Sequence, residues 1–110
     1  MVEYKNGRLD AIFGSLADPT RRDMLRRLKE RSQTVGELAA HYALTFAAVS
    51  KHLMVLERAG LVRKHKRGRE HWVDLSPKTL KLADAYLEQY RKLWEERLDR
   101  LETFLKNNKK

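Results

Sequence analysis

The 110-residue chain contains no cysteine. That excludes disulfide frameworks, thiolate metal sites, cysteine nucleophiles and thiol redox sensing together. Its two prolines and five glycines are too few for a collagen-like or linker-dominated chain. No stretch approaches the roughly 20 apolar residues of a membrane span, so no transmembrane helix is expected. Met1-Val2-Glu3-Tyr4-Lys5 lacks the apolar run of a secretory leader. Glycine-rich phosphate loops, nucleophile elbows and paired-carboxylate pockets are also missing, so neither an enzyme nor a cofactor is expected. Glu95, Glu96, Asp99 and Glu102 fall beside Lys92, Arg97 and Arg100 and read as solvated salt pairs. Acidic residues are outnumbered 15 to 24, giving a net charge of +9. Such a surplus favours a polyanionic partner, because neutralising phosphates releases condensed counterions. The length and 42% hydrophobic content suit one domain over residues 1–110 with one modest core.

The charge is unevenly spread. Residues 61–76 carry five basic and two acidic groups, the densest surplus in the chain. The run Arg63-Lys64-His65-Lys66-Arg67-Gly68-Arg69 is flanked by Leu61-Val62 and Trp72-Val73. This reads as a β-hairpin over about 61–75 with a basic tip at Arg67 and Arg69.

Helical patterns surround it. Leu9, Ile12, Phe13 and Leu16 predict a first helix over about 8–17. Asp18-Pro19 stops it and starts the next, with Asp18 as cap and Pro19 at the first helical position. Met24, Leu25 and Leu28 form the inner face of that helix, which runs to about Arg31. Thr34-Val35-Gly36-Glu37 is a capping box opening a short helix with Leu38, Ala39 and Tyr42. Ala43-Leu44 is read as a short turn. Thr45 then caps a helix to about Arg58, with Val49, Leu53 and Leu56 inward and Gly60 as its stop. Ser76-Pro77 repeats the Asp18-Pro19 device and opens a helix over 77–107 without proline or glycine inside it.

Two short helices, a tight turn and a basic hairpin follow the order of a winged helix-turn-helix. A helix fits the major groove when its N-terminal half presents small or polar side chains and a scaffold holds its other face. In the segment 45–58, Thr45, Ala47, Ser50 and Lys51 face outward while Val49 and Leu53 anchor. Ser50 suits a base edge or phosphate, and Lys51 a guanine or phosphate. Phe46 and Ala47 suit thymine methyl groups. Arg67 and Arg69 suit the adjacent backbone or minor groove. The fold expected is mainly α with a small β-hairpin, its DNA-binding core spanning 8–75.

The long helix carries Leu80, Ala83, Leu87, Tyr90, Trp94, Leu98, Leu101 and Leu105 at steps of mostly three and four, a heptad-like seam. So much apolar surface must pack on its own domain, on a partner or on both. The first helix is also amphipathic and terminal. A homodimer through the N- and C-terminal helices follows, with Leu9, Phe13, Leu87, Tyr90, Trp94, Leu98 and Leu101 at the interface. Two copies would read a palindrome with half-sites about one helical turn, ~34 Å, apart or somewhat more. An intramolecular cap, or a ligand box from Tyr86, Tyr90 and Trp94, stays open beside this reading. A non-specific architectural or RNA-binding protein, and a protein-interaction module using the long helix, are the competing functions.

The chain resembles the ArsR/SmtB-type winged-helix repressors of bacteria and archaea. The resemblance is carried by Leu16-Ala17-Asp18-Pro19-Thr20-Arg21-Arg22, Val35-Gly36-Glu37-Leu38-Ala39, Ala48-Val49-Ser50-Lys51-His52-Leu53, Leu56-Glu57-Arg58-Ala59-Gly60-Leu61-Val62 and Gly68-Arg69-Glu70-His71. Trp94 to Leu101 is similar to a subgroup with a long aromatic last helix. The resemblance implies a homodimeric, sequence-specific regulator of double-stranded DNA, most often a repressor, working on the nucleoid in a prokaryotic cytoplasm. It implies a major-groove position for Thr45, Phe46, Ala47, Ser50 and Lys51, and a wing position for Arg67 and Arg69. The family's metal sites do not carry over. There are no cysteines, and no histidine occurs from Pro77 to Lys110. Of His41, His52, His65 and His71, only the last two could pair, across the hairpin, and two ligands fall short of a zinc site. No metal site is expected, and the effector is left open.

Overall fold

The computed structural model describes residues 7–108. Residues 1–6, including the stretch read for a leader, and 109–110 lie outside the described residues. The elements in order are α1 (Gly7–Leu16), α2 (Pro19–Glu30), β1 (Gln33–Thr34), α3 (Val35–Ala39), α4 (Phe46–Arg58), β2 (Val62–Arg67), β3 (Glu70–Leu75) and α5 (Pro77–Asn107). The fold is a winged helix-turn-helix.

Local chemistry sets most boundaries. The Asp18 carboxylate accepts the Arg21 backbone N–H at 3.0 Å, and Pro19 fills the first turn of α2. Thr34 Oγ1 accepts from the Glu37 N–H at 3.0 Å while Glu37 Oε1 accepts from the Thr34 N–H at 2.9 Å. Both donors of the reciprocal box are thus satisfied. Gly60 ends α4 at φ +79°, in the left-handed region open to glycine. The wing turns through Gly68 and Arg69 alone. Gly68 has φ +60° and Arg69 does not share the positive φ, the pattern of a type II′ turn.

The expected hairpin is present as β2 and β3, and four other expectations need correction. The hairpin belongs to a three-stranded antiparallel sheet, ordered β1-β3-β2, with Gln33 opposite Val73 and Thr34 opposite Trp72. Two residues are too few to show a strand's alternation. The short α3 ends at Ala39, before Tyr42. The chain winds on through His41 N–H to Leu38 C=O and Tyr42 N–H to Ala39 C=O, tighter three-residue bonds of the 3₁₀ kind. The turn is therefore longer than Ala43-Leu44. Ser76 makes no side-chain cap on α5; its backbone N–H donates instead to Leu61 C=O at 2.8 Å. Finally, His65 faces Trp72 and Lys66 faces His71. Successive strand residues point to opposite faces, so the two histidines are not partners.

The core lies where the helices meet the root of the wing. Ile12, Met24, Leu38, Val49, Leu53, Leu56, Leu61 and Val73 are fully enclosed. Only the first turns of α5 join it, through Thr79, Leu80 and Ala83. From Leu87 onward its apolar side chains are exposed within this chain, and the molecule extends to 67 Å along its longest axis. The intramolecular cap is thus confined to the helix's beginning.

Candidate nucleic-acid interface

The helix α4 has one anchored face and one open face. Val49, Leu53 and Leu56 are wholly buried, and their spacing leaves the opposite face of the N-terminal half outward. Thr45 Oγ1 caps the helix by accepting the Ala48 N–H at 3.1 Å. Thr45, Phe46, Ala47 and Lys51 are exposed and Ser50 is half-buried. The five positions share one end of one helix. Phe46 is 63% exposed.

Two networks hold α4 against the scaffold. The Arg21 guanidinium donates to Ser15 C=O at 2.7 Å and Gly14 C=O at 3.2 Å, and lies 3.3 Å from His52 Nδ1 on α4. Arg22 donates to Leu16 C=O at 2.7 Å. The first turn of α2 thereby satisfies the last carbonyls of α1. The second network holds the turn before α4. Tyr42 Oη donates to Asp23 Oδ2 at 2.7 Å, and Asp23 also accepts from Arg26 and Arg27. The Arg27 guanidinium lies over the Tyr42 ring, 5.8 Å from its centroid. The Tyr42 hydrogen bond, then those of Arg26 and Arg27, hold the Asp23 carboxyl well below the usual carboxylate range.

Partial burial, and then the hydrogen bond to Asp23, push the Tyr42 phenol up from 10.0 to about 12. The folded state thus favours the protonated phenol. That contribution is whole below pH 10 and is lost as pH rises toward about 12. Thermal melting across this range should show an alkaline fall in stability that Tyr42→Phe reduces. At neutral pH the same substitution should cost about 1 kcal/mol, the worth of one hydrogen bond.

The wing is built around Trp72. The Arg67 guanidinium sits 5.2 Å from the Trp72 ring centroid, a cation–π contact that orders an exposed cation. Arg69 occupies the second turn position and is exposed. At the wing's root, Asp74 accepts from the Ser32 hydroxyl and lies 3.1 Å from His65 Nδ1. This ties β2 and β3 to the residue that precedes β1.

A family profile described as "Bacterial regulatory protein, arsR family" matches residues 18–64, from the cap of α2 into β2. The transcriptional repressor SdpR of Bacillus subtilis is 31% identical over 72 residues, covering 66% of this chain and 80% of SdpR. The chain belongs to the ArsR family. The HTH-type transcriptional regulator Rv2034 of Mycobacterium tuberculosis is similar to this ArsR-family chain at 36% identity over 81 residues, 74% of the chain and 76% of the relative. A crystal structure of an ArsR family transcriptional regulator superposes with a TM-score of 0.76 at 37% identity, covering 86% of this chain and 97% of that one.

Of the positions expected at a dimer contact in this ArsR-family chain, Phe13 and Tyr90 come together through Tyr86. Phe13 on α1, 37% exposed, meets Tyr86 on α5 edge-on at 5.9 Å, and Tyr86 leans on Tyr90 at 5.4 Å. Leu87, Trp94, Leu98 and Leu101 extend the apolar face along α5, and Leu9 is half-buried on α1. Among the described residues no three His, Asp or Glu side chains gather at a metal-binding distance. Sequence reasoning missed Arg21, Asp23, Tyr42 and Asp74 as braces. The spacing of Asp23 to Arg26 and Arg27 is the one local signal that could have found part of this network; nothing local pointed to Tyr42 or Ser32.

Proposed function

We propose that this ArsR-family regulator binds double-stranded operator DNA as a two-fold homodimer and acts as a repressor. Thr45, Phe46, Ala47, Ser50 and Lys51 enter the major groove. Arg67 and Arg69 hold the flanking phosphates or minor groove. The observation that carries this reading is α4 itself, with its inner residues at 0% exposure and its N-terminal positions presented beside a strongly basic wing. The DNA-binding core spans 8–75, and α5 with α1 supplies the dimer contact. No described helix is long and apolar enough to cross a membrane, and the reading places the protein with DNA in a bacterial cytoplasm.

Selection of bound fragments from random duplex DNA tests the reading. It should return a palindrome with half-sites about 34 Å apart or somewhat more. Affinity for that site should exceed random duplex by roughly a thousandfold or more at physiological salt. A flat profile would reject specific regulation in favour of architectural binding. Arg67→Ala and Arg69→Ala should weaken operator and random duplex alike. Each should flatten the log-affinity against log-salt slope by about one unit for every phosphate it no longer neutralises, read by fluorescence anisotropy over a salt series.

A further inference from the structure

One group of cations lies away from the groove-facing surface. Arg8 of α1, Arg63 and Lys64 of β2 and Lys78 of α5 line a cavity of about 640 Å³ beside Glu57, Gly60, Ser76 and Thr79. The volume falls in the range of small-molecule sites. The cavity adjoins the C-terminal end of α4. That end lies roughly 20 Å along the 13-residue helix from the turn proposed to meet DNA.

Among the described residues, cations outnumber carboxylates in the lining. The lining residues include four cations and one carboxylate, a formal net +3. Among the described residues, none of the four is paired with a carboxylate within 4.0 Å, whereas Arg26, Arg27, Arg31, Arg91, Arg100 and Lys106 all are. Three separate elements therefore converge like charges, which costs free energy unless an anion offsets it. Lys78 also stands in the first turn of α5, which has no acidic residue, although a helix start favours negative charge.

Arg8 lies close to the end of α4. A Cβ at Gly60 would stand 3.0 Å from Arg8 Nη2 and 3.1 Å from Thr79 Oγ1. Thr79 Oγ1 itself donates to Gly60 C=O at 2.5 Å. The bare glycine lets the guanidinium lie close against the end of α4. Ser76, whose hydroxyl makes no cap, also lines the wall.

We propose that this cavity binds a small diphosphate-bearing molecule, with Arg8 and Lys78 as its main charge contacts. A monophosphate ester carries roughly −1.5 to −2 at neutral pH and would leave part of the +3 unmatched. Two adjacent phosphoryl groups match it more closely and span cations from different elements. Nucleic-acid phosphate is the other source of the same chemistry, and the experiment separates the two.

Inorganic pyrophosphate is titrated calorimetrically into the full chain at constant ionic strength. Parallel titrations use Arg8→Gln/Lys78→Gln and Arg67→Ala/Arg69→Ala, with circular dichroism melting of each variant to establish folding. All four side chains are exposed, so both variants should fold. Saturable binding is expected, weakened about tenfold or more in the first variant, as for removal of one charge-assisted hydrogen bond. It should be unchanged in the second. Absence of saturable binding by the wild-type chain would overturn the proposal. So would equal binding by a folded Arg8→Gln/Lys78→Gln variant, or loss of binding in the wing variant, which would mark the DNA surface as the anion's seat.

Discussion

Replacing Trp94 and Leu98 together with glutamate is expected to yield a monomer and to drop operator affinity toward the non-specific level, roughly a thousandfold or more. Trp94 is 63% exposed and Leu98 46% exposed within the chain. Neither substitution disturbs its own core. Glutamate is a good helix former, so α5 should be strained only where it meets a second copy. There the two carboxylates and their symmetry mates would have to be desolvated without partners. The phenotype is therefore specific, a lighter particle with an intact head. Sedimentation equilibrium reads the mass and anisotropy reads the DNA. A variant that stays dimeric would move the subunit contact elsewhere. A monomer that keeps full operator affinity would remove two-fold reading from the mechanism.

Ser50→Ala/Lys51→Ala should lower operator affinity by about 2–4 kcal/mol, roughly 30- to 1,000-fold, from removing two base or phosphate interactions of typical worth. Binding to random duplex should fall much less, because only Lys51 carries charge. Lys51 is exposed and Ser50 half-buried, and both lie between the buried anchors Val49 and Leu53. Alanine favours helix at both positions, so melting should be preserved and the dimer unaffected. Equal losses on all duplexes would turn these side chains into general phosphate contacts. No loss at all would take α4 out of the groove.

How much of this was legible in the sequence depended on how local the signal was. The capping residues Asp18, Thr34 and Thr45 act on backbone three residues ahead, and all three were readable. So were the stop at Gly60 and the presence of a hairpin turn near Gly68, because each needs a residue type that few others replace. The two-residue strand β1 was not readable, since its pairing with β3 joins positions about forty apart. The braces Tyr42–Asp23 and Ser32–Asp74 were hidden for the same reason. Ser76 shows the opposite error. Its residue type suits a cap, but a backbone bond to Leu61 sets its geometry and leaves the hydroxyl aside. The outward positions of α4 proposed to face the groove were legible as the complement of the core, once Val49, Leu53 and Leu56 fixed the inner side of that helix.

The outer half of α5 has a thermodynamic consequence. From Leu87 to Leu105 its apolar side chains are exposed within the subunit, so in the proposed homodimer their order is supplied by association. Dissociation and fraying of this segment become a single event. The melting midpoint should therefore climb with protein concentration. In the proposed homodimer, subunits would trade partners only by unwinding the rods that join them, so mixed pairs should form slowly even between near-identical chains.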